Sequence, residues 1–115
     1  MQFSALKDYD WQATATPGAE KCEIWRGSET AYFAAFRVKA GTVFQPHAHP
    51  GWEYLTVLSG RWQVDDRELG PGDVAITAPG EEHKEAAIDD SIVVISIGNN
   101  DVPSVGAGRV QALPS

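Results

Sequence analysis

Gly41-Thr-Val-Phe-Gln-Pro-His47-Ala-His49-Pro-Gly-Trp-Glu53-Tyr-Leu-Thr-Val-Leu-Ser-Gly60 sets two imidazoles and a carboxylate between two glycines, in a segment otherwise made of strand and turn residues. The third and last histidine, His83, closes a second glycine-punctuated segment, Gly72-Asp-Val-Ala-Ile-Thr-Ala-Pro-Gly-Glu-Glu-His83. Side chains two apart on a strand project from one face, so His47 and His49 are expected to aim at one point while Ala48 turns away. Pro50-Gly51 then turns the chain into Trp52–Ser59, where Glu53, Leu55 and Val57 share one face and Trp52, Tyr54, Thr56 and Leu58 the other. Glu53 begins the inward face at the end nearest the histidines, and His83 is expected to arrive from a later strand. Imidazole and carboxylate together are the donors that zinc, iron, copper or nickel takes. The spacing therefore predicts one divalent ion per chain, held by His47, His49, Glu53 and His83, in preference to three unrelated histidines.

Outward from this segment the pattern stays that of short strands. Tyr32, Ala34, Phe36 and Val38 alternate along one face and stop at Ala40-Gly41. Arg61 to Val64 is expected to pair back on the preceding strand across Ser59-Gly60, and Asp65-Asp66 to reverse the chain into Arg67-Glu68-Leu69. After the turn at Pro71-Gly72-Asp73, Val74 and Ile76 are expected to face inward. Ile92 to Ile97 is almost continuously β-branched, the mark of a strand buried on both faces. Short strands with turns at close intervals predict an all-β sandwich or barrel. Residues 1–20 read as an arm or edge strand, 21–98 as the barrel and 99–115 as a tail or an arm laid on a neighbouring subunit.

At these residues the chain resembles the cupin superfamily. The first cupin motif, G-x5-H-x-H-x3-E-x6-G, is matched at each fixed position by Gly41, His47, His49, Glu53 and Gly60. Of the second, G-x5-P-x-G-x2-H-x3-N, Gly72, Gly80 and His83 fall in register, Pro79 lies one place late, and Ala87 stands where asparagine is usual. The resemblance implies a double-stranded β-helix, a single-domain jelly-roll barrel, with one metal on His47, His49, Glu53 and His83. The run from His49 to Gly60 is most similar to the metal-binding half of zinc-dependent anti-sigma factors and to small diketone- and hydroxyketone-cleaving dioxygenases. Cupins are often dimeric, so the resemblance also implies a homodimer.

Composition sets the outer bounds. A chain of 115 residues makes one domain that buries about two-thirds of its unfolded surface. Nine Lys and Arg against sixteen Asp and Glu give a net charge of −7, with no basic face for nucleic acid. No apolar run approaches the roughly 20 residues of a membrane span, and no charged-then-apolar leader opens the sequence. The single cysteine, Cys22, excludes an intrachain disulfide and suits a reducing cytoplasm.

Four protein donors leave room for exogenous groups only in five- or six-coordination, which iron(II), manganese and nickel accept and a closed tetrahedral zinc does not. Iron(II) is the preferred ion, with a small chelating carbonyl or hydroxyl compound as substrate of an oxygenase. A non-catalytic metal or small-molecule sensor is the alternative, and a sugar isomerase a weaker one. Glu53 is expected to serve as a permanent ligand or as a displaced general base. Trp52, Tyr54, Trp62, Phe36 and Phe44 read as barrel filling before ligand contacts, and Glu81, Glu82, Lys84 and Glu85 as a solvated loop around His83.

Overall fold

The computed structural model describes residues 1–99, so the tail or arm expected over residues 99–115 lies outside the described residues except for Asn99, which ends the last strand. The strands are Gln12–Ala13 (β1), Ala19–Arg26 (β2), Tyr32–Val38 (β3), Val43–His47 (β4), Trp52–Ser59 (β5), Trp62–Val64 (β6), Arg67–Leu69 (β7), Val74–Thr77 (β8), His83–Ala87 (β9) and Ser91–Asn99 (β10). One helical turn at Leu6–Asp8 is the only helical piece among the described residues. Six strands form an antiparallel sheet in the order β1-β2-β3-β10-β5-β8, and four form a second in the order β4-β9-β6-β7. The core draws on the inner faces of both: Val38, Leu55, Val57 and Val93 from the larger sheet, Trp62 and Ala87 from the smaller. This is the expected all-β jelly-roll barrel.

The alternation along β3 and β5 is as the sequence predicts. Ala34 and Val38 are buried, as are Glu53, Leu55 and Val57, and Asp65 takes the left-handed conformation (φ 51°) at the tip of the β6–β7 hairpin. Three expectations are corrected. The segment Arg61–Val64 does not pair back on β5. It crosses to the four-stranded sheet and pairs with β7 and β9. Gly60 (φ +88°) makes the crossing, packed so closely that a Cβ would run into the Asp90 carbonyl and Ser91. The Ser91 hydroxyl pins the next residue, accepting from Arg61 N at 3.1 Å and donating to Arg61 O at 3.0 Å.

Second, Val74 and Ile76 face outward, and Ala75 and Thr77 inward. The register pairs Thr77 with Glu53 and Ala75 with Leu55, so parity is fixed by β5 and not by hydrophobicity. Small side chains opposite Glu53 leave its carboxylate room, at the cost of leaving Val74 53% exposed. Third, β10 is not buried on both faces. Val93 and Ile97 are buried inside, whereas Ile92, Val94 and Ser96 on the outer face are half-buried, because no second layer covers the larger sheet among the described residues. The segment before β2 lies along its edge: β1 pairs Gln12 with Lys21, and Trp11 stacks on the Arg37 guanidinium at 4.7 Å from the ring centre.

Candidate metal centre

The site forms where β4, β5 and β9 meet at one end of the barrel. β9 carries His83, Glu85 and Ala87 on its inner face, and His83 lies directly across from His47 on β4. Between Phe44 and His47 the β4 strand gains one residue over its partner. Pro46 sits in this bulge, where a residue without an N–H breaks no ladder bond and the extra residue re-aims the histidine. The strand ends at His47, so His49 stands in the following loop and not on the shared strand face the spacing suggests. That loop is tied to the second glycine segment by the Gly80 amide, which donates to the His49 carbonyl at 2.9 Å.

Single donor atoms from His47, Glu53 and His83 all lie within 4.8 Å of one another. His49 is not part of that mutual set but is drawn against it, its Nε2 2.8 Å from Glu53 Oε2. The approach is out of line for a hydrogen bond, and Glu53 Oε2 is left buried without a partner, as are both ring nitrogens of His83. His47 is oriented from behind: its Nδ1 donates to the Gln45 carbonyl at 2.9 Å, which leaves the Nε2 lone pair free. The imidazole rings of His47 and His83 stand 5.1 Å apart, and those of His47 and His49 5.0 Å.

Buried nitrogens and carboxylate oxygens that approach one another without bonding are costly in a metal-free interior. The same arrangement is what a divalent cation requires, and three imidazoles with one carboxylate suit iron, zinc, manganese or nickel. The residues fit a metal.

Glu85 is the residue that sequence reasoning misplaced. It is not in a solvated loop but on the inner face of β9, and with Glu53 and His83 it is among the most buried ionisable groups, at 4, 2 and 4% exposure respectively. Its parity with His83 was the available signal, since Lys84 between them is exposed. The Glu85 carboxylate, 3.5 Å from His83 Nε2, is the largest cause of a His83 pKa raised above the ordinary value. Burial opposes the shift, and Glu53 and Asp65 add to it. Burial pushes the Tyr32 phenol up, with the Glu53 charge as a further cause.

A cavity of about 170 Å³ opens beside the donors. Its walls include Phe36, Phe44 and Trp62, so three of the aromatics expected to be barrel filling also line a pocket, while His47, His49 and Glu85 bring polar atoms to it.

Barrel, motif and donor set together define a small cupin domain. The ChrR cupin-like domain model matches residues 1–103, and the chain belongs to that family. Among solved structures, a chain of Rhodobacter sphaeroides SigE in complex with the anti-sigma ChrR is similar at 26% identity, with a TM-score of 0.71. The match covers 82% of this chain and 51% of that one, so the present chain spans about half the length of that relative. KdgF from Halomonas sp. matches at 23% identity over 87% of this chain and 96% of its own, with a TM-score of 0.71. An acetylacetone dioxygenase from Acinetobacter johnsonii matches at 18% identity over 84% and 72%, with a TM-score of 0.70. These last two likenesses show the fold alone. No curated protein matches the sequence.

Proposed function

We propose that His47, His49, Glu53 and His83 hold one divalent ion, with iron(II) preferred, and that the protein is an oxygenase acting on a small chelating carbonyl or hydroxyl compound seated in the adjoining cavity. The observation that carries this reading is that the buried, unpaired donor atoms of Glu53 and His83 cluster with His47, which together with His49 lines an aromatic-walled cavity. When bound, such an ion supplies Lewis acidity to an oxygen of the compound and, if redox-active, electrons for dioxygen chemistry. The chain supplies the rest. Phe36, Phe44 and Trp62 exclude water and take up the carbon skeleton. His47 is held in one tautomer by Gln45. Glu53, whose Oε2 has no partner that binds it in line, is in this reading a labile ligand that, once displaced, takes a proton from a hydroxyl or an enolisable carbon.

Metal analysis of the purified protein, paired with oxygen uptake by the iron(II)-loaded form over a panel of diketones and hydroxyketones, tests the proposal. Uptake that vanishes in Glu53→Gln with the metal retained supports it. Absence of uptake with every chelating ketone, catechol and thiol favours a second reading, a non-catalytic sensor. That reading has its own support in the family match and in the 26% likeness to a chain of the anti-sigma complex.

A homodimer is part of the same proposal. The outer face of the six-stranded sheet aligns Trp25, Phe33, Ser96, Tyr54 and Ile76 in one row across five strands, with Ser96 the one member that is neither aromatic nor aliphatic, and Trp25 is 55% exposed. Burial against a second copy would remove this face from water.

A further inference from the structure

The Glu85 side chain lies where no strand pattern asks for a charge. In the ladder its neighbours are Phe44 on one side and Val64 on the other, both packed against the core. It opens into the cavity beside Phe36, Val93 and Ile95 from the opposite sheet. It is outside the donor set of His47, Glu53 and His83 that converges within 4.8 Å. Its nearest ionic neighbour is His83 Nε2, and at 3.5 Å that contact is too long for a well-made hydrogen bond. An acceptor this deep in an apolar wall costs stability unless something donates to it.

We propose that Glu85 is the ligand-selecting residue of the cavity, accepting a hydrogen bond from a hydroxyl or enol of a molecule about the size of benzene, the volume that fits such a space. A second oxygen on the adjacent carbon of that molecule reaches the donor cluster. Glu85 Oε2 lies 3.5 Å from His83 Nε2, so two oxygens on neighbouring carbons can address the carboxylate and the donor cluster together. The site then favours hydroxyketones and vicinal diols over diketones of the same skeleton, because a diketone leaves the carboxylate unpaired and sets a carbonyl oxygen against it. The inference rests on the metal-centre reading.

Acetoin and diacetyl share one carbon skeleton and differ only in whether one oxygen carries hydrogen. Calorimetric titration of the nickel-loaded protein under nitrogen, where open coordination positions remain and no dioxygen is present for turnover, is expected to show acetoin binding at least about tenfold tighter, the value of one hydrogen bond to a charged acceptor. Glu85→Leu is expected to keep stoichiometric nickel and bring the two affinities together. Glu85→Gln, whose amide also donates, is expected to narrow or reverse the preference. It serves in place of Glu85→Leu if circular dichroism shows that variant unfolded. Equal affinities in the wild type, a preference untouched in both variants, or loss of nickel from Glu85→Leu would overturn the proposal. Nickel content of the wild type and of His83→Ala is measured first. A wild type that takes up no nickel overturns the metal reading and Glu85's role together, whereas stoichiometric nickel with no ligand preference overturns Glu85's role alone.

Discussion

The two faces of the six-stranded sheet reverse the usual division of inside and outside. The inner face carries Glu53 into the barrel at 2% exposure, next to the buried His83 and Glu85 of the opposing sheet, while the outer face leaves Trp25, Phe33 and Val74 in solvent. Polar groups inside and large apolar groups outside each violate the rule by which a core forms. The violations differ in what relieves them. The inner one is a matter of unpaired donor atoms, which a cation and a ligand satisfy. The outer one is a matter of area, which only another surface satisfies.

The contrast is sharpest against a side chain buried for its apolar area. Trp62 is 1% exposed and packs on Phe44 with ring centres 5.8 Å apart, although its indole Nε1 is left without a partner. Trp62→Ala is expected to cost about 3–5 kcal/mol in urea unfolding, the largest single effect outside the glycine turns. Stripping the metal with a chelator comes next: a ligand at a hundred times its dissociation constant contributes about 2.7 kcal/mol, and that much is expected to disappear from the unfolding free energy. Glu53→Gln should raise the stability of the metal-free protein while the ion stays bound at saturating metal. A fall in the metal-free stability would return Glu53 to ordinary core polarity.

The pH dependence separates the two occupancy states as well. In the metal-free protein the raised His83 pKa contributes stability that is fully present below the unfolded value of about 6.5 and is lost as pH rises through the folded value. Metal needs the same nitrogen deprotonated, so the loaded protein is expected to lose its ion as pH falls. Opposite slopes in unfolding experiments between about pH 5 and pH 8 are the expected result, and parallel slopes would show that His83 is not a ligand. Smallest is the outer face. Phe33→Ser with Val74→Ser is expected to shift monomer stability by no more than about 0.5 kcal/mol each, while light scattering shows the mass fall by half. An unchanged mass would remove the dimer.

Much of this was legible in the sequence. Spacing and motif predicted His47, His49, Glu53 and His83 as one cluster. The structure gathers donor atoms of His47, Glu53 and His83 and sets His49 in a loop at their edge, and the alternation read along β3 and β5 is the one observed. What escaped has a common physical cause. Period-2 alternation gives two faces but identifies the buried one only when it is the more hydrophobic. In β8 the outward residues Val74 and Ile76 are larger than the inward Ala75 and Thr77, so parity was read backwards. In β9 the inward face carries His83 and Glu85, so it resembled a loop. The pairing of β6 was lost for another reason: a glycine after a strand signals a reversal, and nothing local distinguishes a hairpin from a chain crossing to the other sheet.

Gly60 bears on what a signature match reports. It closes the first motif eleven residues after His49, yet it touches no donor atom and serves only as the joint at which the chain changes sheets. The motif therefore records two separable inheritances, a scaffold and a metal site. A descendant in which every histidine had drifted away would keep the glycine for as long as it kept the barrel, and a half-match of this kind would mark shared ancestry without shared chemistry.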